Sequence, residues 1–485
     1  MTNKDFTYNT LGKTNLSVSE VGFGGYRIDI RSPLNLEALK KALVSGINLI
    51  DTSANYTNGN SELLVGEVLR GLINSQKLSR ESVVIVTKGG YIQGDNYDIS
   101  QQRKKKNKTF PDLVEFQKGL EHCIHPEFLQ DQITKSLERL EVETIDVYLL
   151  HNPEYYLKWA KENNIDLSTA RKEYYSRIKK AFEYLEKEVQ KGRIKHYGIS
   201  SNTFPSSSSD YDFTCLEAVL KIAEEISTDN HFSVIEFPMN LVETGNRALL
   251  ELAQSKNLGV LINRPLNAFY DNKLINLAEP RVFNPPSVEQ INEELKNIRK
   301  QEKYVAEKLK AHKNKKILAE VESSLFVSEE LQKSWLEAKN ISNWQAVLNQ
   351  YFLPRFHHGK NYIKNSSLKN EELEADLHSL IYKIAKVFNQ IIFYYNNEHL
   401  KLTAKIKENL ANSVPELSSV NKLSNMAIRS IRSTRGVTTV LVGMTKLPYV
   451  TDVIEELKVP VNKDFNWDKI HSTSSSLNLS SFLNI

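Results

Sequence analysis

Four side chains in the first third of the chain have the types needed to hand a proton to an oxygen: Asp51, Tyr56, Lys88 and His151. A phenol, with a pKa near ~10, is a sluggish donor unless its phenolate is stabilised. An ammonium does this, which gives Lys88 a use beside Tyr56, and a carboxylate such as Asp51 keeps that lysine charged and oriented. His151 can hydrogen-bond an oxygen on which negative charge develops and set the direction from which it is attacked. Addition of hydride to a carbonyl builds such a charge. Taken singly, each residue has a plainer explanation: a helix cap, a core aromatic, a surface charge and a satisfied core histidine.

The elements that must position these groups follow one grammar: an amphipathic helix, a Gly or Asn stop, a short β-branched strand, then a polar residue at the strand's end. Leu36, Leu39 and Leu43 share a helical face, Gly46 stops it, and the strand Ile47 to Ile50 ends in Asp51. Val83 to Val86 runs into Thr87 and Lys88, and Ile145 to Leu150 precedes His151. Ile178, Ala181, Phe182, Leu185 and Val189 lead through Gly192 to a strand around His196 to Ile199, ending in Ser200, Ser201 and Asn202. Ser233 to Phe237 carries Glu236, Gly259 opens Val260 to Ile262, and Gly436 opens Val437 to Val442 before Gly443. With Val21 to Phe23, the pattern predicts eight strands.

Stacked βα units allow an open doubly wound sheet or a closed barrel, and periodicity does not separate them. The doubly wound dinucleotide fold asks for G-x-G-x-x-G after its first strand. The local GFGGYR, with Gly22, Gly24 and Gly25, lacks the third glycine and runs on to Pro33. In a barrel the strand ends converge on one face, which suits Asp51, Lys88, His151, Asn202 and Glu236. The expected fold is therefore an α/β chain, a (β/α)8 TIM barrel.

Composition sets the outer bounds. The chain has 485 residues, 40% hydrophobic and 25% charged, enough to bury a core. Lys and Arg number 63 against 59 Asp and Glu, a net +4 that gives no reason to expect nucleic acid. Two distant cysteines, Cys123 and Cys215, fit a reducing compartment rather than a disulfide framework. The start MTNKDFTYNT lacks the apolar stretch of a signal peptide, and no apolar run approaches the ~20 residues of a spanning helix. A cytoplasmic protein without membrane contact is expected.

The segments DTSANY (Asp51 to Tyr56), VIVTKGG (Val84 to Gly90) and DVYLLHNP (Asp146 to Pro153) resemble the active-site segments of the aldo-keto reductases. YGISSN (Tyr197 to Asn202), NRPL (Asn263 to Leu266) and TTVLVGMTK (Thr438 to Lys446) continue the resemblance, which covers roughly residues 8 to 266 and 422 to 458. It implies an oxidoreductase using NADP, with NAD possible, that interconverts a small carbonyl compound and its alcohol. Asp51, Tyr56, Lys88 and His151 would be catalytic, and Tyr26, Tyr56, His151 and Asn152 would meet the substrate. Gly25, Tyr26, Asp51, Ser201, Asn202, Glu236, Arg264, Leu266, Gly443, Thr445 and Lys446 would meet the cofactor. No metal is implied. A cofactor-binding sensor with weak turnover, in the manner of the reductase-like channel subunits, is the alternative.

The chain departs from the family pattern at three places. The position that commonly carries Gln for the nicotinamide carboxamide is Glu236, which can accept from the amide but not donate unless protonated. Asn263 stands where many members put an aromatic ring. Tyr449 replaces the Arg of many NADP-preferring relatives, so NADP leads NAD only narrowly.

Two stretches interrupt the grammar. Residues 89 to 125, with the basic run Arg103 to Lys106, read as a long connection. Residues 271 to 420 read as a mostly helical insertion, dividing the chain into a barrel of 1–270 and 421–485 and an insertion subdomain of 271–420. Leu377, Leu380, Ile381, Ile384, Phe388, Ile391, Ile392 and Tyr395 form one apolar face there, and Trp335, Trp344, Phe352 and Phe388 read as its own core. His357 and His358 read as a connecting loop, His122, Cys123 and His125 as a loop or helix start rather than a metal site, and Tyr175 with Lys179 as a coincidental Y-x-x-x-K. Residues 206 to 209 and 472 to 476, rich in serine, read as a loop and a tail.

Overall fold

The structure, a computed structural model, describes residues 3–244, 247–270, 273–280, 282, 284–311, 315–366, 370–463 and 467–476. It divides into two compact units, one formed by Met1–Phe269 with Ser424–Ser474, the other mainly by Tyr270–Leu423.

In the first unit eight parallel strands close into a barrel in chain order. They are β1 (Val21–Gly24), β2 (Leu49–Asp51), β3 (Val84–Gly89), β4 (Ile145–His151), β5 (Ile194–Ser200), β6 (Phe232–Pro238), β7 (Gly259–Asn263) and β8 (Thr439–Val442). The ring closes where Val440 of β8 pairs with Val21 of β1. Each strand leads on to a helix that returns the chain to the barrel's other end, from Pro33–Val44 after β1 to Leu447–Leu457 after β8. This is the (β/α)8 TIM barrel expected from the pattern. The first of those helices shows the local logic. Ser32 caps it by accepting from the Asn35 N–H, Pro33 opens it, Ala38, Leu39, Ala42 and Leu43 bury one face, and Gly46 at φ 104° turns the chain into β2.

Because side chains alternate along a strand, the inward face is read by counting in twos. Leu49, Val84, Val86, Val147, Leu149, Val234 and Leu261 fill the barrel with Leu11 and Val18, which flank and belong to the hairpin Tyr8–Thr10 and Ser17–Ser19. The next inward step from Leu49 is Asp51, from Val86 is Lys88, from Leu149 is His151, from Val234 is Glu236 and from Leu261 is Asn263. An apolar layer therefore supports a polar layer at the strands' C-terminal ends.

A buried ionic cluster ties the closing seam. Arg432, at the end of the helix Leu423–Arg432, holds Glu20 at 2.7 Å and Glu456 at 3.1 Å, all three about fully enclosed. Arg429 also pairs with Glu456, and Lys463 with Glu20. Arg432→Met should lower the unfolding free energy by about 3 kcal/mol, the low end for breaking a buried pair because two cations remain. Urea denaturation would measure it; a loss below about 1 kcal/mol would show that the cluster is not what holds this seam.

The second unit is helical, with Val288–Ala311, Lys315–Leu325, Leu353–Asn365 and the 43-residue Glu371–Ser413 as its longer elements. Trp335, Trp344, Phe352 and Phe388 are buried in its own apolar core with Leu377, Leu380, Ile384 and Ile391. Two expectations need correction. His357 and His358 lie inside Leu353–Asn365 rather than in a loop, since Pro354 opens that helix and Phe356, Gly359 and Ile363 bury one face of it. The serine-rich 472–476 belongs to the helix Trp467–Ser476. Among the described residues no helix is long and apolar enough to cross a membrane.

Candidate active site

Asp51, Lys88, His151 and Glu236 converge at the C-terminal rim from β2, β3, β4 and β6, and Tyr56 joins them from the turn after β2. That turn is abrupt: Thr57 and Asn58 adopt φ 47° and 59°, and Gly59 follows at 85°. A β-branched residue in the left-handed region is strained, and Thr57 is held by a 2.8 Å hydrogen bond to the Ile28 carbonyl. The hydroxyl of Tyr56 lies 3.4 Å from Lys88 Nζ, which donates to Asp51 and, at 3.2 Å, to the Thr52 carbonyl. Ser53 Oγ hydrogen-bonds His151 Nδ1 at 3.0 Å, leaving Nε2 as the nitrogen for a ligand oxygen.

Glu236 belongs to the same cluster. Its Oε2 is 3.3 Å from Lys88 Nζ, and its Oε1 accepts from Ser200 Oγ at 3.0 Å and Asn263 Nδ2 at 2.9 Å. The carboxylate expected at a cofactor amide is turned to the lysine instead. Ser200, absent from the expected site, is the last inward residue of β5; counting in twos along the strand would have found it.

Burial dominates the electrostatics. It raises the Tyr56 phenol above its ordinary value; Lys88 opposes this, while Asp51 and Glu236 add to it. The expectation that Lys88 would bring the phenol below that value is thus reversed in net effect, because burial outweighs the ammonium and the two carboxyl groups add to it. Burial works against the Lys88 charge, but Asp51, Glu236 and Tyr56 outweigh it and hold the lysine protonated. Burial and then the Glu236 charge push Asp51 well above the carboxylate range, against the pull of Lys88. His151 is held far below its usual value by burial, then by Lys88 and His122, so the imidazole is neutral.

The stretch 89–125, expected as a connection, forms a helix, Asp95–Lys105, and a small antiparallel sheet of Tyr91–Ile92, Val114–Gln117 and Leu120–His122. His122 Nε2 donates to the His151 carbonyl at 2.7 Å, and burial lowers His122 to about 4, so it stays neutral. Tyr91 meets the His151 ring edge-on at 4.6 Å, and Tyr155 stacks on His122. A Cβ on Gly90 would come within 2.5 Å of the His151 carbonyl oxygen, so this sheet needs glycine to lie against the site. Strands this short leave no periodic signal.

Of the remaining expected residues, Asn152 (φ 51°) donates from Nδ2 to Glu154, which also receives the Asn202 N–H. Ser201 is buried and bonded to Thr203 and Thr214, and Asn202 is exposed. Tyr26 is exposed, with its ring edge-on to Tyr56 at 5.1 Å. Gly25 donates to the Asp51 carbonyl, and a Cβ there would strike that oxygen. Leu266 packs on the barrel core. Tyr175 accepts from the Cys215 N–H and Lys179 pairs with Glu225, which gives each a structural role. Cys123 donates to the Pro111 carbonyl, and His125 caps the helix Pro126–Leu140. No group of metal-binding side chains occurs among the described residues.

A model of the aldo/keto reductase family matches residues 20–473. The chain belongs to the aldo/keto reductase family. It is 32% identical over 149 residues to the NADH-specific methylglyoxal reductase of Escherichia coli (strain K12), covering 29% of this chain and 40% of that protein. It is 28% identical over 191 residues to the uncharacterized oxidoreductase YqkF of Bacillus subtilis (strain 168), covering 39% and 47%. The match to these curated relatives thus spans less than half of their length. Among solved structures, the aldo-keto reductase AKR11C1 from Bacillus halodurans, in its holo form, is similar over 96% of each chain, at 16% identity and a TM-score of 0.49.

Proposed function

We propose that this aldo/keto reductase interconverts a carbonyl compound and an alcohol, with Tyr56 as the proton donor. The observation that carries the reading is the enclosed Tyr56 hydroxyl 3.4 Å from Lys88 Nζ, with His151 on its other side. A nicotinamide dinucleotide, when bound, supplies the hydride. Tyr56 gives its proton to the developing alkoxide, His151 Nε2 donates a hydrogen bond to the same oxygen, and Lys88 steadies the phenolate left behind. In the reverse direction the phenolate takes the alcohol proton.

The rim fits such a cofactor. Arg264 keeps Nε and Nη1 buried without a hydrogen-bond partner while its Nη2 holds Glu243 at 3.0 Å, which leaves two separate donors for an anionic oxygen. The helix Leu447–Leu457 starts at Lys446 with no side-chain cap, and a Cβ on Gly443 would meet nothing within 4 Å. Pro448 in its first turn has no N–H and the Tyr449 N–H is bonded to the Lys446 carbonyl, so a second phosphate would be met here by Thr445 and the exposed Lys446 side chain. Asn202, whose N–H is held by Glu154, would meet the carboxamide, and Asn152, whose Nδ2 donates to the same carboxylate, would meet the substrate. NADPH is the leading cofactor, with NADH a close second.

Fluorescence titration should show both reduced cofactors binding, and Lys446→Ala should weaken NADPH by roughly twofold to fivefold, the size of an exposed ion pair. Steady-state assay on a panel of aldehydes and ketones should then show turnover. Tight cofactor binding with no turnover on the panel would replace the enzyme reading with that of a sensor. The neutral His151 also predicts a reduction rate without an inflection near ~6.5, the ordinary histidine value. An acid limb there, lost in His151→Gln, would mean that the imidazole titrates after all.

A further inference from the structure

We propose that Ser53, Asn55 and Gln93 form a hydrogen-bond relay that decides which ring nitrogen of His151 carries the proton, and that in the free protein it is Nδ1. Only the use of that proton rests on the oxidoreductase reading. The relay starts inside the site, where Ser53 is 1% exposed and its Oγ lies 3.0 Å from His151 Nδ1. A hydroxyl has one proton to give. Ser53 gives it to Asn55 Oδ1 at 2.7 Å, with the Lys88 carbonyl as a longer alternative at 3.3 Å, and both are oxygens that only accept. Asn55 Nδ2 in turn donates to Gln93 Oε1 at 3.0 Å, just beyond the strand Tyr91–Ile92. With its own proton committed, Ser53 can only accept from the imidazole. A neutral ring has one N–H, so Nδ1 holds it and Nε2 is left as an acceptor.

That polarity suits an alcohol, whose O–H donates to Nε2. Donation from Nε2 to a carbonyl oxygen, the form needed for reduction, asks for the opposite one. The relay supplies it without losing a contact, because an amide turned over exchanges its oxygen for its NH2. Gln93 Nε2 then donates to Asn55 Oδ1, Asn55 Nδ2 to Ser53 Oγ, and the Ser53 hydroxyl to His151 Nδ1. The ring proton moves to Nε2 by exchange with water, and the ring stays neutral. Asn55 and Gln93 are half-buried while Ser53 and His151 are enclosed, so the polarity is set from the outer end. All three residues act through His151 and are positioning residues.

Nitrogen NMR of cofactor-free protein carrying isotope-labelled histidine at neutral pH tests this without turnover, the His151 signals being those lost in His151→Gln. Wild type should show Nδ1 protonated and Nε2 bare. Gln93→Glu, whose carboxylate can only accept from Asn55 Nδ2, should keep that state. Gln93→Lys, whose ammonium can only donate to Asn55 Oδ1, should move the proton to Nε2. With Ser53→Ala added, both Gln93 variants should give one and the same tautomer, because the link between them and the ring is cut. A wild type with the proton on Nε2, which needs no variant to fold, overturns the proposal. So does a Gln93→Lys variant that keeps it on Nδ1, or a difference between the two Gln93 variants that survives Ser53→Ala and so reports charge alone. If the tautomers follow this pattern but no carbonyl or alcohol is turned over, the relay stands and the oxidoreductase reading falls.

Discussion

Tyr56→Phe should cut carbonyl reduction by ~10²- to 10⁴-fold, the loss typical of removing a positioned general acid, and almost all of it should appear in kcat. The substitution removes one oxygen and keeps the ring, so the edge-on contacts with Tyr26 and His151 survive. Lys88 keeps both of its carboxyl partners. Cofactor affinity should therefore stay within about twofold, because no proposed cofactor contact is lost. Steady-state kinetics with a fluorescence titration separate the two effects. Turnover close to wild type would transfer the donor's role to His151, whose imidazole lies across from the phenol and is already neutral.

Lys88→Met should cost a comparable ~10²- to 10⁴-fold in kcat, for a different reason. The proton donor remains, but the positive charge that opposes burial at the phenol is gone. Phenol pKa should rise further, because burial and the two carboxyl groups then act unopposed. The sign follows directly. Reduction requires the protonated phenol and is lost as pH climbs through its pKa, so whatever activity survives should persist to higher pH than in wild type. A variant within tenfold of wild type, or an alkaline limb displaced downward, would remove Lys88 from the proton path.

Much of the barrel is legible in sequence because buried parallel strands leave a strong mark: short β-branched runs such as VVIV and IDVYLL, each after a glycine or polar stop. The polar layer is legible by the same count, since Asp51, Lys88 and His151 each fall two residues beyond an inward apolar one. Direction across the barrel is not. Nothing in the neighbourhood of Glu236 says that its carboxylate reaches Lys88 on another strand, and the commoner Gln at that position pointed to an amide instead. The sheet around Tyr91 and His122 was hidden for another reason. Its strands, of two to four residues, are too short to establish a period, and its partners are the His151 backbone and the rings of Tyr91 and Tyr155 rather than a hydrophobic run.

The place of β8 has a consequence for how the chain is made. The seam joins partners far apart in synthesis: Thr439 Oγ1 donates to the Ser19 carbonyl across 420 residues. At a ribosomal rate of ~5–20 residues per second, the first strand waits roughly 20 to 80 s for its last neighbour. During that time β1 and β7 present bare edges, the kind of surface that recruits other nascent chains. The helical insertion emerges inside this interval and carries its own apolar core, so its folding does not depend on closure. Expression at lower temperature or with a holdase should therefore raise the soluble yield of full-length protein more than it does for a barrel whose eighth strand follows the seventh without delay.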